Sequence, residues 1–300
     1  MSQPQNLDAL FRDAVAAIDA GDVRAIESLL ASHPALISNR LDAPGQWLRD
    51  KVGNATEPGE FFERPYLLWF IAEDPVRCGR LPANIADIAL TIISAIRQYA
   101  PATLQEQLDY ALTLFSFSWI ARDCGVQVEL IDVLIDAGAS PDGNPDNALV
   151  NGNISAAEHL IKRGAPLTLA TALSLKRWDD CPRLFERATD RQKRFARVLA
   201  ALRGPPESPR WLIKSGIGAN PPSEDLYSHA TPLHHAVCSG SLDAVQALVE
   251  AGADLTAKDS AWEATPLQWA EYQRSNCTDK DQMNDFAAIK AYLNERSSRA

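Results

Sequence analysis

The sequence predicts an all-α fold in which short helices stand in pairs and the pairs stack into an α-solenoid. A four-point apolar stripe at helical spacing, Leu242, Val245, Leu248 and Val249, is the first observation behind this prediction. Similar stripes recur along the chain; the Ala-Gly-Ala closure of 251–253 returns after one of them at 137–139, and the similar Arg-Gly-Ala follows another at 163–165. Helices this short do not fold alone, so each pair is expected to bury its stripe against neighbouring copies.

The most regular helix pair lies in residues 226–257. Thr231-Pro232 forms a tight entry turn, because proline fixes the backbone of the first helical residue. Gly240 ends this helix, and Ser241 follows as the N-cap of the second. Gly252 stands where a left-handed C-terminal cap is expected. The segment therefore predicts helix, turn, helix and closing turn.

Copies of the stripe predict about eight such pairs in the chain. The clear copies are Val23, Ile26, Leu29 and Leu30; Val128, Ile131, Leu134 and Ile135; and Ile154, Ala157, Leu160 and Ile161. The less regular copies are Ile85, Ile88, Thr91 and Ile92; Trp178, Cys181, Leu184 and Phe185; Leu212 and Ile213; and Phe286, Ile289, Tyr292 and Leu293. A helix bundle would also show apolar stripes, but its packing does not require different helices to end in the same tripeptide.

The stretch from Ala230 to Asp254 resembles an ankyrin repeat, and the resemblance extends over 226–270, 125–166 and 8–33. It implies an ankyrin-type solenoid of bacterial type, with degenerate and shortened repeats joined by short turns or β-hairpin fingers. It also implies that the His of Thr-Pro-Leu-His ties one turn to the next, although Gln268 replaces this His in the following copy. The motif residues are Thr231, Pro232, Leu233, His234, Gly240, Gly252, Thr265, Pro266, Gly138 and Gly164.

We expect one array over residues 1–300. Its parts are an N-terminal helix pair or cap at 8–37, a long inserted loop at 38–64, degenerate repeats at 65–225, the best-matching repeat at 226–257 and a C-terminal repeat or cap at 262–297.

Composition limits the classes of function. A net charge of −10 disfavours nonspecific nucleic-acid binding, which needs a basic face. The five cysteines are scattered and form no CxxC pair, so neither a disulfide framework nor a zinc ribbon is predicted. No basic leader with an apolar core is found, and no apolar run approaches about 18 residues. We therefore expect a cytoplasmic monomer that does not enter membranes.

The inserted loop at 38–64 is the first candidate binding segment. Long loops in compact arrays tend to be functional, and aromatic residues mixed with arginine are typical of interface anchors. The predicted partner-binding residues are Trp47, Arg49, Phe61, Phe62, Arg64 and Trp69. The alternative is that the aromatics fold back and seal the end of the solenoid, since an N-terminal cap is needed for solubility.

Catalytic and metal motifs are missing from the sequence. We find no nucleophile elbow, phosphate loop, dinucleotide fingerprint or HExxH. His234 and Cys238 are four residues apart, but no further ligands stand at a suggestive spacing, and the run from Asp142 to Asn147 lacks the late acidic residue of a calcium loop. We predict a non-enzymatic scaffold without a cofactor that binds another protein through its concave face and N-terminal loop. The alternative is an enzyme or small-ligand protein with a pocket between the 38–64 loop and the second repeat.

Overall fold

The computed structural model describes residues 6–50, 60–72 and 78–298, with Glu60 through its backbone only. The chain divides into two compact units, Met1–Pro166 and Leu167–Ala300. The described residues are helical and contain no strand, which confirms the all-α prediction. Of the two predicted kinds of connection, these residues use short turns and not β-hairpin fingers. The single array over 1–300 stays a prediction.

The first unit consists of short helices that pair and stack. Its helices are α1 (Leu7–Ala20), α2 (Val23–Ser32), α3 (Ala35–Ser38), α4 (Gln46–Arg49), α5 (Glu60–Glu63), the 3-10 helix Leu67–Ala72, α6 (Ile85–Tyr99), the 3-10 helix Pro101–Thr103, α7 (Leu104–Phe117), α8 (Trp119–Asp123), α9 (Gln127–Ala137), α10 (Asn144–Val150) and α11 (Ile154–Lys162). One row of contacts runs through α1, the 3-10 helix Leu67–Ala72, α7 and α10. A second row runs through α2, α6, α9 and α11.

The second unit repeats this two-row arrangement. Its helices are α12 (Leu169–Ser174), α13 (Cys181–Arg187), α14 (Asp190–Arg203), α15 (Glu207–Lys214), α16 (Pro232–Cys238), α17 (Leu242–Glu250), α18 (Pro266–Asn276) and α19 (Lys280–Ser297). Helices α12, α14, α16 and α18 contact one another in this order, and α15, α17 and α19 form the other row. Each helix pair of the unit thus packs against its neighbours, as a solenoid requires.

The Ala-Gly-Ala closures end two helices in the same way. Gly138 and Gly252 both adopt a left-handed backbone, with φ of 118° and 83°. The following amide turns back to the helix, and Ala139 N donates to Leu134 O at 2.9 Å while Ala253 N donates to Leu248 O at 2.9 Å. This is the Schellman geometry, in which the carbonyls at the end of the helix are satisfied and the chain turns toward the next pair.

The predicted stripes are buried at their centres but not always at their first position. Ile131 and Leu134 in α9 and Ala157 and Leu160 in α11 are fully buried. Val128 and Ile154, the first positions of these two stripes, are 40% and 51% exposed. The prediction is wrong for these two residues because each lies in the first turn of its helix, outside the buried seam.

His234 links the turn before α16 to the turn before α18. Its Nδ1 accepts a hydrogen bond from Thr231 N at 3.3 Å and lies 2.8 Å from Thr231 Oγ1. Since Nδ1 is an acceptor, the neutral ring carries its proton on Nε2, which lies 3.0 Å from Ala264 O. In the next turn Gln268 Oε1 accepts from Thr265 N at 2.8 Å. The glutamine therefore reproduces the hydrogen bond that His234 makes within its own turn, and not the one that joins two turns.

Candidate functional site

A groove of about 760 Å³ lies in the second unit, between the turns that precede α16 and α18 and the helices α14, α16 and α18. Its volume is in the range of about 300–1,000 Å³ that is usual for ligand sites. We call it the aromatic groove, because much of its lining comes from aromatic rings. These are Tyr227, His229, His235, Trp262, Trp269 and Tyr272.

The turn that carries Trp262 is built around the carboxylate of Asp259. This residue is 1% exposed, and Oδ1 accepts hydrogen bonds from Ala261 N at 2.9 Å and Trp262 N at 2.7 Å. Oδ2 accepts from Ala264 N at 3.1 Å and from Trp269 Nε1 at 3.0 Å. Burial opposes ionisation, but these donors outweigh it and hold the pKa of Asp259 below its usual value. One carboxylate thus positions both tryptophans of the groove.

The aromatic rings meet mostly edge to face. Trp262 and Trp269 lie 5.7 Å apart at 65°, and His229 and Trp262 lie 5.4 Å apart at 90°. Trp262 is 68% exposed and Tyr272 is 67% exposed, values far above those of core aromatics. The arrangement leaves large aromatic surfaces open to a partner molecule, and such surfaces are typical of interfaces.

Two residues of the groove hold a backbone conformation that side chains rarely adopt. Tyr227 has a φ of 48° and Glu263 a φ of 52°. A left-handed conformation costs a residue other than glycine about 1–2 kcal/mol. Strain of this kind often accompanies functional positions, because the surrounding structure holds a side chain where it is needed. Both Tyr227 and Glu263 line the groove.

His235 contributes an uncharged ring to the groove lining. The residue is 3% exposed, and its Nε2 has no hydrogen-bond partner among the described residues. Burial lowers the pKa of His235 to about 4, although hydrogen bonds to the backbone of Tyr227 and Ala230 act in the opposite direction. The imidazole is therefore neutral at physiological pH.

Mild acid is expected to destabilise the chain through His235. The unfolded imidazole takes up a proton near a pKa of about 6.5, whereas the folded one stays neutral until the pH approaches about 4. Because the unfolded state binds the proton first, the free energy of unfolding falls as the pH falls, by about 2 kcal/mol at about pH 5. Urea unfolding at neutral pH and at this pH measures the loss.

The matched variant for this prediction is His235→Phe, which keeps a buried ring that cannot be protonated. The drop in unfolding free energy between the two pH values is expected to be smaller in this variant by the same amount of about 2 kcal/mol. An equal drop in both proteins would contradict the assignment of the pH dependence to His235.

The residues predicted to bind a partner, Trp69 and five residues of the 38–64 segment, do not lie on one surface. Phe61 is 2% exposed and Trp69 is 0% exposed, so both side chains are buried inside the first unit. The binding prediction is corrected for these two, because an aromatic ring that packs in the core cannot reach a partner. Phe61 packs on Phe70 with ring centroids 4.9 Å apart.

Trp47 is partly buried, and its Nε1 donates to Asp8 Oδ1 at 2.8 Å, which fixes the segment to α1. Phe62 is partly buried as well, and Arg49 and Arg64 are exposed. Arg64 Nε donates to Asp42 Oδ1 at 2.6 Å. Residues 51–59 of the predicted loop lie outside the described residues. The burial of Trp47 and Phe61 agrees with the alternative in which aromatics of this segment fold back onto the first unit.

The sequence prediction missed the aromatic groove, although a signal for it was available. Tyr227 lies four residues before Thr231, and Trp262 lies three residues before Thr265. The two threonines begin equivalent helices, so the stacked repeats bring the two turns together. Aromatic residues in the corresponding turns of neighbouring repeats indicate a shared surface.

The other polar candidates of the sequence have structural roles. The Asp142 to Asn147 run forms the start of α10, which begins at Asn144, rather than a cation-binding loop. Asn153 is buried, and it accepts from Arg122 Nη1 at 2.9 Å and donates to Ser116 O at 3.3 Å. Within the described ranges, no three His, Cys, Asp or Glu side chains are grouped so that they could hold a metal ion.

Comparisons with known proteins find ankyrin repeats in part of the chain. Residues 118–259 match the family model described as ankyrin repeats, in three copies. No curated protein matches the chain. Among solved structures, the ankyrin repeat domain of human ASB11 is similar at 15% sequence identity with a TM-score of 0.34, covering 76% of this chain and 96% of that one. In the part of the chain that the structure describes, no helix combines the length and apolar content needed to span a bilayer.

Proposed function

Because the chain contains ankyrin repeats over residues 118–259, we propose that it is a protein-binding scaffold whose aromatic groove receives the partner. Ankyrin repeats are generally protein–protein interaction modules. Stacked repeats of this kind form extended surfaces whose turns vary in sequence, and those turns select the partner. The turns before α16 and α18 supply Tyr227, His229 and Trp262 to the groove.

The observation that carries this proposal is the exposure of large aromatic side chains around one concavity. Tyr227, Trp262 and Tyr272 are 44%, 68% and 67% exposed, and all three line the groove. Tryptophan and tyrosine are enriched among the residues that dominate binding energy at protein interfaces. An exposed cluster of them favours a docking surface over a core element.

The chemistry of the groove supports binding rather than catalysis. Burial raises the pKa of the Cys238 thiol, which disfavours the thiolate that a nucleophile needs. His235 is a weak base because burial lowers its pKa to about 4. Cys238 and His235 are therefore neutral near pH 7. The pocket of the alternative enzyme function was predicted at a different place, beside the 38–64 loop.

Three further features belong to the proposal. Arg49, Phe62 and Arg64 remain as a second contact region in the first unit, since two of them are exposed and the third is partly so. We also propose a monomer of the cytoplasm, in keeping with five cysteines that form no disulfide bond with one another. The net charge of −10 supports a protein rather than a nucleic acid as the partner.

The test is a selection of peptides from a displayed random library against the full chain, followed by calorimetric titration of the enriched peptides. The double variant Trp262→Ala, Tyr272→Ala is expected to bind them at least about 30-fold more weakly, the loss of one strong interface anchor. Its unfolding free energy should change by less than about 1 kcal/mol, because both side chains are mostly exposed.

The matched control is Trp119→Ala, which removes a tryptophan that is 51% exposed in the first unit. This variant is expected to bind the enriched peptides as the unmodified chain does. Enriched peptides that bind the double variant and the unmodified chain with equal affinity would overturn the assignment of the groove.

A further inference from the structure

We infer that the aromatic groove binds an arginine side chain of the partner, at the end of the groove where Glu263 and Trp262 lie. This inference rests on the proposed function and specifies the chemistry of the partner. Three properties of the groove carry it: its charge distribution, the orientation of its rings and the neutrality of His235.

The charge distribution favours a cation at the turn end of the groove. Glu263 is exposed there, next to Trp262 in sequence, and both residues line the groove. Arg203 also lines the groove, but it ends α14 and acts on Cys238 at the opposite, C-terminal end of α16. The groove is therefore acidic at one end and basic at the other. A positive side chain of a partner is attracted to the end that carries Glu263.

The rings provide faces for a cation at this same end. His229 stands perpendicular to Trp262, and Trp269 lies at 65° to Trp262, with centroid distances of 5.4 and 5.7 Å. Rings that meet at such angles form a corner in which one cation can contact more than one aromatic face. A cation within about 6 Å of a tryptophan ring centre is attracted by the negative face of the ring, and tryptophan is the strongest of these partners.

The buried His235, which also lines the groove, adds no positive charge to it. His235 is neutral at physiological pH, as shown above, so it does not repel a cation. Arginine fits these surroundings better than lysine, because its planar guanidinium stacks on aromatic rings and is less strongly hydrated than an ammonium. The groove volume of about 760 Å³ leaves room for the neighbouring backbone of the partner.

The experiment compares two pentapeptides, acetyl-Gly-Gly-Arg-Gly-Gly-amide and the same peptide with citrulline in place of arginine. Citrulline keeps the shape and planarity of the side chain but carries no charge. Each peptide is titrated into the isotope-labelled full chain, and the indole N–H signals of Trp262 and Trp269 are followed by NMR. We expect saturable shifts with the arginine peptide and an affinity about 5–30-fold lower for the citrulline peptide.

Two variants separate the contributions of charge and ring. Trp262→Leu keeps an apolar side chain without a π face. It should lower the affinity for the arginine peptide to that for the citrulline peptide. Glu263→Gln is expected to weaken it by about 2–5-fold, since the carboxylate is exposed. Equal binding of the two peptides, no shift with either peptide, or unchanged binding by Trp262→Leu would overturn the inference.

The inference can fail while the proposed function stands. Library peptides that require Trp262 but contain no arginine would retain the groove as a protein-binding site and reject arginine as its guest. Library peptides whose binding does not require Trp262 would contradict both the proposed function of the groove and the arginine inference.

Discussion

Replacing Trp69 by alanine is expected to lower the free energy of unfolding by about 3–5 kcal/mol, the usual cost of removing a buried tryptophan. The side chain is 0% exposed and packs on Tyr110, with ring centroids 4.1 Å apart. Its Nε1 donates to Gln107 O at 3.2 Å, and the Arg40 guanidinium lies 5.0 Å from the ring centre. The substitution therefore leaves a cavity, removes the hydrogen bond from Nε1 and takes away one of the two rings that the Arg40 guanidinium contacts, the other being that of Tyr66.

The control for Trp69 is Trp119→Ala in the same unit. Trp119 is 51% exposed, so its removal should change the unfolding free energy by less than about 1 kcal/mol. Urea unfolding followed by circular dichroism measures both variants. Similar, small losses of unfolding free energy in the two variants would contradict a core position for Trp69 and indicate that its side chain is exposed.

Arg197→Ala is expected to cost a similar amount, about 3–5 kcal/mol, because it leaves a cavity and removes the donors that the carbonyls of Gly218 and Pro221 use. Arg197 is 1% exposed, and its guanidinium donates to Gly218 O and Pro221 O. Burial lowers the pKa of Arg197 to about 10, and the neighbouring charge of Arg194 acts in the same direction. The side chain remains charged at neutral pH and ties α14 to the turn that follows α15.

Arg194→Ala is the matched control on the same helix. The Arg194 side chain is 30% exposed, and its Nη2 lies 3.0 Å from Glu224 Oε1. Surface ion pairs contribute about 0–1 kcal/mol, so this loss should be small. Urea unfolding measures both variants. Equal losses of unfolding free energy for the two variants would show that the hydrogen bonds from Arg197 to Gly218 O and Pro221 O do not stabilise the fold.

Much of the fold could be predicted because it depends on local patterns. The Thr-Pro entry and the stripe with Val245 and Leu248 are properties of consecutive residues, and both stripe residues are fully buried. The Gly252 closure depends on a conformation that glycine adopts at low cost. Where the stripe template failed, at Val128 and Ile154, the reason was a position in the first helical turn, which helical periodicity does not reveal.

The candidate site was not predicted in the same way, because apart from the aromatics of the two turns it depends on contacts between residues far apart in sequence. Tyr227 and Tyr272 are separated by 45 positions in the chain yet line one groove. In the 38–64 segment, aromatic composition could not tell a surface anchor from a core residue, because large rings stabilise both. Phe61 and Trp69 proved to be core residues.

The central claim is that the partner binds in the aromatic groove. The most direct test titrates a library-selected peptide into the isotope-labelled full chain and follows the indole N–H signals of its seven tryptophans. We predict saturable shifts of Trp262 and Trp269, with Trp47 and Trp119 unchanged. Shifts of Trp47 with Trp262 and Trp269 unchanged would contradict the account and place the partner on the N-terminal segment.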